Sequence, residues 1–143
     1  MVGLIRRTLA NVREGRMQRL LAAATAFSAP PLAFEIYFEH YKGSFGDKWM
    51  WTPLWLTPPL TAAGIAGFFS PKAARTALPI IGALYALDGL VGVYTHFVGV
   101  RKRPGGLSEI HYNLTMGPPL LAPGSLAMVG GMGVLAAIVK RER

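Results

Sequence analysis

The 143-residue chain has no cysteine. That absence excludes disulfides, thiolate metal sites and cysteine nucleophiles, and leaves the redox compartment open. Charge is also scarce: 15% of residues are charged, against about 25% in an ordinary soluble domain, while 52% are apolar. Acids are the scarcer sign, with seven Asp and Glu against 15 Lys and Arg. No phosphate-binding loop, dinucleotide glycine fingerprint, serine-hydrolase elbow or zinc-protease HExxH occurs. No serine has partners for a triad. Nothing in the chain names a reaction.

What is present is long apolar runs. From Leu20 to Phe38 the only charge is Glu35, and Trp49 to Pro71 has none. Thr76 to Val100 carries only Asp88, histidine aside, and Tyr112 to Val139 carries none. Each run reaches or nears the roughly 20 residues that cross hydrocarbon. A soluble bundle with buried helices is the alternative, but four such runs leave almost no polar face. The expected fold is an all-α integral membrane protein: a four-helix transmembrane bundle, up-down-up-down, with Pro-kinked helices at about 20–40, 50–70, 76–98 and 117–139. It forms one domain over 20–143, preceded by a basic segment, 1–19. Short turns at 41–48 and 101–108 make sequential helices antiparallel neighbours. Small residues at packing spacing, Ala63/Gly67, Gly133/Ala137 and Gly82/Gly89/Gly92, suit close helix approach.

In the basic segment, Val2, Ile5, Leu9 and Val12 separate loosely from Arg6, Arg13 and Arg16 at helical spacing. That suits an interfacial helix on an anionic leaflet. A cleaved twin-arginine leader ending near Ala26 is the competing reading, opposed by the apolar run continuing to Phe38. Because the basic residues flank apolar runs, the net charge of +8 points to a membrane rather than to nucleic acid. Arg6 to Arg19, Lys72, Arg75, Lys140, Arg141 and Arg143 outnumber Lys42, Lys48 and the Arg101–Arg103 triplet, which places both termini in the cytoplasm. Trp49, Trp51 and Trp55 then join Tyr37, Tyr41, Tyr94 and Tyr112 in an outer aromatic belt. The expected partners are the bilayer and other membrane subunits or further copies of the chain.

The stretch FEIYFEHYKGSFGDKWMW, 34–51, carries Glu39 and His40 to that outer face. His96 arrives there from the third run, and Glu109 and His111 precede the fourth. Imidazole and carboxylate suit zinc, copper or iron, so Glu39, His40, His96, Glu109 and His111 are candidate metal ligands. His40, His96 and His111 are candidate cofactor ligands, since two imidazoles from different helices suit a b-type haem. The plainer reading is solvated interfacial side chains, because no HxxxH or ExxH fixes two ligands on one turn.

Asp88 sits near the middle of its run, where a charge costs at least about 2.5 kcal/mol on insertion scales, so it should face protein or water. A hydrogen bond to Tyr85 or to a neighbouring backbone is the bland expectation; proton or ligand handling with Glu35, one turn below Glu39, is the sharper one. Pro30-Pro31, Pro58-Pro59 and Pro118-Pro119 fall with Asp88 at one depth, roughly 12–14 Å below the outer face at 1.5 Å per helical residue. The expectation is an outward-open polar cavity with Asp88 at its floor. Pro118-Pro119 also suit the start of a helix.

Three functions compete. One is an accessory or ligand-binding subunit of a larger membrane, redox-type complex, its His/Glu cluster holding a metal, haem or quinone. The second is a small membrane enzyme or transporter acting on a proton or lipid-soluble substrate through Asp88 and Glu35. The third is a ligand-free structural or assembly factor. Small size, the lack of a soluble domain and abundant small residues favour the first.

Overall fold

A computed structural model describes residues 2–141. Met1, Glu142 and Arg143 lie outside them, and with them the outermost residues of segments 1–19 and 20–143. The described chain is helical, without a strand: α1 (Val2–Arg13), α2 (Met17–Lys42), a 3₁₀ turn (Lys48–Trp51), α3 (Thr52–Phe69), α4 (Pro71–Arg75), α5 (Ala77–Arg101), α6 (Ile110–Met116) and α7 (Leu121–Ile138).

Among the described residues three helices, α2, α5 and α7, are long and apolar enough to cross a membrane. The sequence leads one to expect a fourth at 50–70. The helix there, α3, has no charge, but its three prolines, three threonines and one tryptophan dilute its apolar character. The surface is apolar where a soluble protein's would not be. Phe27, Phe69, Met128 and Leu121 are 74–86% exposed, side chains that soluble monomers rarely leave in contiguous patches.

Packing joins α2 to α3 and α7, and α5 to α3 and α7. Small residues let the backbones approach. A Cβ added at Gly64 would lie 2.9 Å from the Ala22 carbonyl oxygen of α2, and one at Gly89 would lie 2.5 Å from the Ala127 nitrogen of α7. Gly82 likewise faces Gly130 and Gly92 faces Pro123, so Gly82, Gly89 and Gly92 all face α7. Leu60, Leu78 and Tyr85 are fully buried between the helices. The Tyr85 hydroxyl lies 3.1 Å from that of Thr57.

One end of the packed helices is closed by direct bonds. Buried Gln18 at the start of α2 donates through Nε2 to Ala136 O at 2.7 Å and Val139 O at 3.3 Å. Arg141 donates to Gly67 O at 2.8 Å and Phe68 O at 2.6 Å, at the end of α3. The start of α2 and the ends of α3 and α7 therefore meet here. α1 lies apart from this core, with Leu4, Ile5 and Leu9 exposed.

Two boundaries depart from expectation. α7 starts at Leu121, so Pro118-Pro119 precede it rather than kink it. A separate short helix, α6, comes before, held by Asn113, whose buried amide donates to Pro104 O at 3.0 Å and Gly106 O at 2.8 Å. Pro30-Pro31 and Pro58-Pro59 do lie within helices α2 and α3.

Candidate functional site

The opposite end is hollow. The end of α2, the 3₁₀ turn, the start of α3, the end of α5 and the start of α7 surround a cavity of about 640 Å³. Its polar lining is Glu39, His40, Asp47, Thr52, Asp88 and His96, with Thr95 beside them. Its walls are otherwise mostly apolar, among them Ile36, Met50, Val91, Pro123 and Leu126. A concave apolar site with a few convergent polar groups is the usual form of a small-molecule site.

The two histidines are held alike. The ring Nδ1 of His40 is 2.7 Å from Met50 O, and that of His96 is 2.7 Å from Pro119 O. A carbonyl only accepts, so each Nδ1 carries the proton and donates. In neutral imidazole this makes each Nε2 an acceptor. The ring centroids are 6.5 Å apart, at 67°. A tetrahedral ion bound to both at 2.0–2.1 Å would draw the centroids to about 5 Å, well inside the observed spacing. Two imidazoles on opposite sides of one ion would stand about 6 Å apart, close to what is found.

Asp88 comes from α5 and meets the start of α3. Its Oδ1 accepts from the Thr52 hydroxyl at 2.6 Å, and the same hydroxyl lies 2.8 Å from Trp49 O. One hydroxyl proton thus serves two acceptors, so Asp88 has at most a shared donor here. Among the described residues no ion pair to Asp88 is found. Tyr85, the expected partner of Asp88, is paired with Thr57 instead. The threonine partner was not read from the sequence; a hydroxyl at the head of a charge-free run, one turn from a tryptophan cluster, was the available signal.

The turn under His40 is strained. Ser44 and Phe45 have φ of 56° and 47°, a region that bulky residues rarely adopt. Phe45 stacks on Trp51 with centroids 4.1 Å apart, and its amide donates to His40 O at 3.0 Å. His40 and the same phenyl ring form an edge-to-face pair, 6.0 Å between centroids at 76°. The turn therefore supports the imidazole directly.

The expected site residues divide. His40, His96, Glu39 and Asp88 come together around the cavity. Glu35 does not join Asp88: it is exposed and lines a neighbouring hollow of about 420 Å³ with Glu39. The reason is helical phase. Ile36 takes the inward face of α2, about 100° round from Glu35. His111 and Glu109 are also exposed and do not line the cavity. Asn113 points α6 inward, and two residues along a helix put His111 on nearly the opposite side. Among the described residues no three His, Asp or Glu side chains are grouped to hold a metal ion. Of the proline pairs, only Pro118-Pro119 line the cavity.

No protein-family model, curated protein or solved structure matches the chain. Its three long apolar helices suggest a membrane protein, and its functional reading rests on the cavity.

Proposed function

We propose that this chain is a ligand-binding membrane protein in which α2, α3, α5 and α7 form a four-helix, up-down-up-down bundle across a bilayer. In this reading both termini are cytoplasmic, the cavity lies toward the outer leaflet, and α1 lies along the inner surface. The chain serves as a ligand-binding subunit, alone or beside other membrane subunits. The observation that carries the reading is the cavity, about 640 Å³ with apolar walls, whose His40, His96 and Asp88 come from two helices and are supported by backbone and hydroxyl partners. Such a site suits an amphiphile with an apolar body and a polar head.

The test is retention of a small molecule. Ala122, half-buried on the cavity wall, is the place to fill it. Mass spectrometry of gently solubilised wild-type protein should find a bound amphiphile that Ala122→Trp loses without a fall in unfolding temperature. Equal retention by the variant overturns the reading.

A second reading, a b-type haem between His40 and His96, is favoured by their spacing and their carbonyl-held Nδ1 atoms. The acidic lining opposes it, since haem propionates are anionic. A Soret band that His96→Ala removes would establish it.

A further inference from the structure

We infer that the cavity selects a cationic amphiphile: an organic ammonium carried on an apolar body. This rests on the cavity being a ligand site, as proposed above, and adds the chemistry of what enters it.

The argument starts from sign. The chain carries 15 bases and seven acids, yet every charged side chain lining the cavity is an acid: Glu39, Asp47 and Asp88. The adjoining hollow repeats the pattern with Glu35 and Glu39. At the cavity end the bases Lys42, Lys48, Arg101, Lys102 and Arg103 equal the acids Glu35, Glu39, Asp47, Asp88 and Glu109 in number, yet only acids enter the cavity lining. Of the bases at this end, Lys42 pairs with Glu39 at 2.5 Å and Lys48 sits 5.6 Å from the Trp49 ring centre, while Arg101, Lys102 and Arg103 close α5 without lining the cavity. Asp47 accepts from Trp49 N at 2.9 Å. Asp47 is exposed; Asp88, half-buried with a shared hydroxyl donor, is the more enclosed of the two lining acids that have no ion pair among the described residues.

The neutral groups agree with the charged ones. Each Nδ1–H is committed to a carbonyl, so in the neutral rings both Nε2 atoms accept. The Thr95 hydroxyl donates to Gly92 O of its own helix at 3.0 Å. Apart from the indole N–H of Trp49, the side chains that line the cavity offer acceptors or have already donated elsewhere. An ammonium brings up to three donors and one positive charge to two imidazole nitrogens and a carboxylate. A quinone or a carboxylate brings acceptors alone. The apolar wall accepts the body of the ligand.

Three compounds with one apolar body separate the possibilities: 4-phenylbutylamine as its ammonium, 4-phenylbutanol, and 4-phenylbutyrate. Their binding is measured by titration calorimetry on the full-length protein in uncharged detergent. The ammonium should bind at least tenfold more tightly than the alcohol, and the carboxylate should bind weakest. Asp88→Asn should bring the ammonium down to the level of the alcohol. The wild-type comparison needs no variant, so it stands if Asp88→Asn fails to fold. Alcohol binding as tight as ammonium overturns the cation assignment and leaves the ligand-site reading intact. Binding of none of the three overturns both.

Discussion

At one end of the molecule, Gln18 and Arg141 close onto backbone carbonyls of α3, α7 and the residues just past α7. At the other, His40 and His96 each give one nitrogen to a carbonyl and keep the second free, around a cavity. Both ends bring polar side chains from distant parts of the chain to one place. The first uses them up internally, as buried polar groups in a structural role are expected to be used. The second stops halfway: one donor fixes each ring, and one acceptor remains. That difference separates a seam from a site more clearly than burial or composition does.

The largest expected effect falls on the packing both ends share. A Cβ at Gly82 would meet Gly130 O at 2.7 Å, which is backbone and has little room to yield. Gly82→Leu should cost about 3 kcal/mol or more, at the upper end of overpacking, and reduce the yield of folded protein. Size-exclusion profiles and thermal unfolding in detergent measure it. A variant as stable as wild type would show that the α5–α7 contact is not as close as described.

The ends should then separate. Gln18→Ala leaves Ala136 O and Val139 O without their donor and removes an acceptor 3.4 Å from Arg141. The expected loss is about 1–3 kcal/mol of stability, with ammonium affinity unchanged. Asp88→Asn should do the reverse, lowering ammonium affinity at least tenfold while stability moves by less than about 1 kcal/mol, since an amide can still accept from Thr52. If the two variants shift the same quantity, the contrast between seam and site fails.

Much of this arrangement was legible in the sequence because it follows from hydropathy and helical repeat. Asp88, His40 and His96 could be brought together because charge-free runs fix helix ends, and helix ends fix which side chains share a level. The close approach at Gly82 and Gly89 followed from spacing alone. What was not legible depends on rotation and on irregular backbone. Glu35 shares a face with Glu39, yet its phase relative to Ile36 turns it away from Asp88. His111 was lost because residues 101–120 do not run straight into the last helix: they turn, form α6 and are pinned by Asn113. Gln18 lay in a segment read as an amphipathic surface helix, where one glutamine looks like solvated polarity. Only the return of α7 beside it shows that its amide is a bond between helices.

The smallest expected effect probes how the cavity end is held. Phe45 keeps a left-handed backbone, a conformation costing about 1–2 kcal/mol for a residue with a side chain, while its ring stacks on Trp51 and pairs edge-to-face with His40. Phe45→Gly removes the strain, since glycine takes this conformation freely. It also removes the aromatic pair, worth about 0.5–1.5 kcal/mol. The two nearly cancel, which leaves the burial lost with the ring, so stability should fall by about 1–2 kcal/mol. His40, however, loses its ring partner while keeping its bond to Met50 O. A looser imidazole should weaken ammonium binding by about two- to fivefold, far less than Asp88→Asn. Phe45→Leu, which loses the stack but keeps the strain and part of the apolar burial, should be similarly weakened in binding. If both variants bind like wild type, the strained turn serves the loop alone and His40 is positioned by Met50 without it.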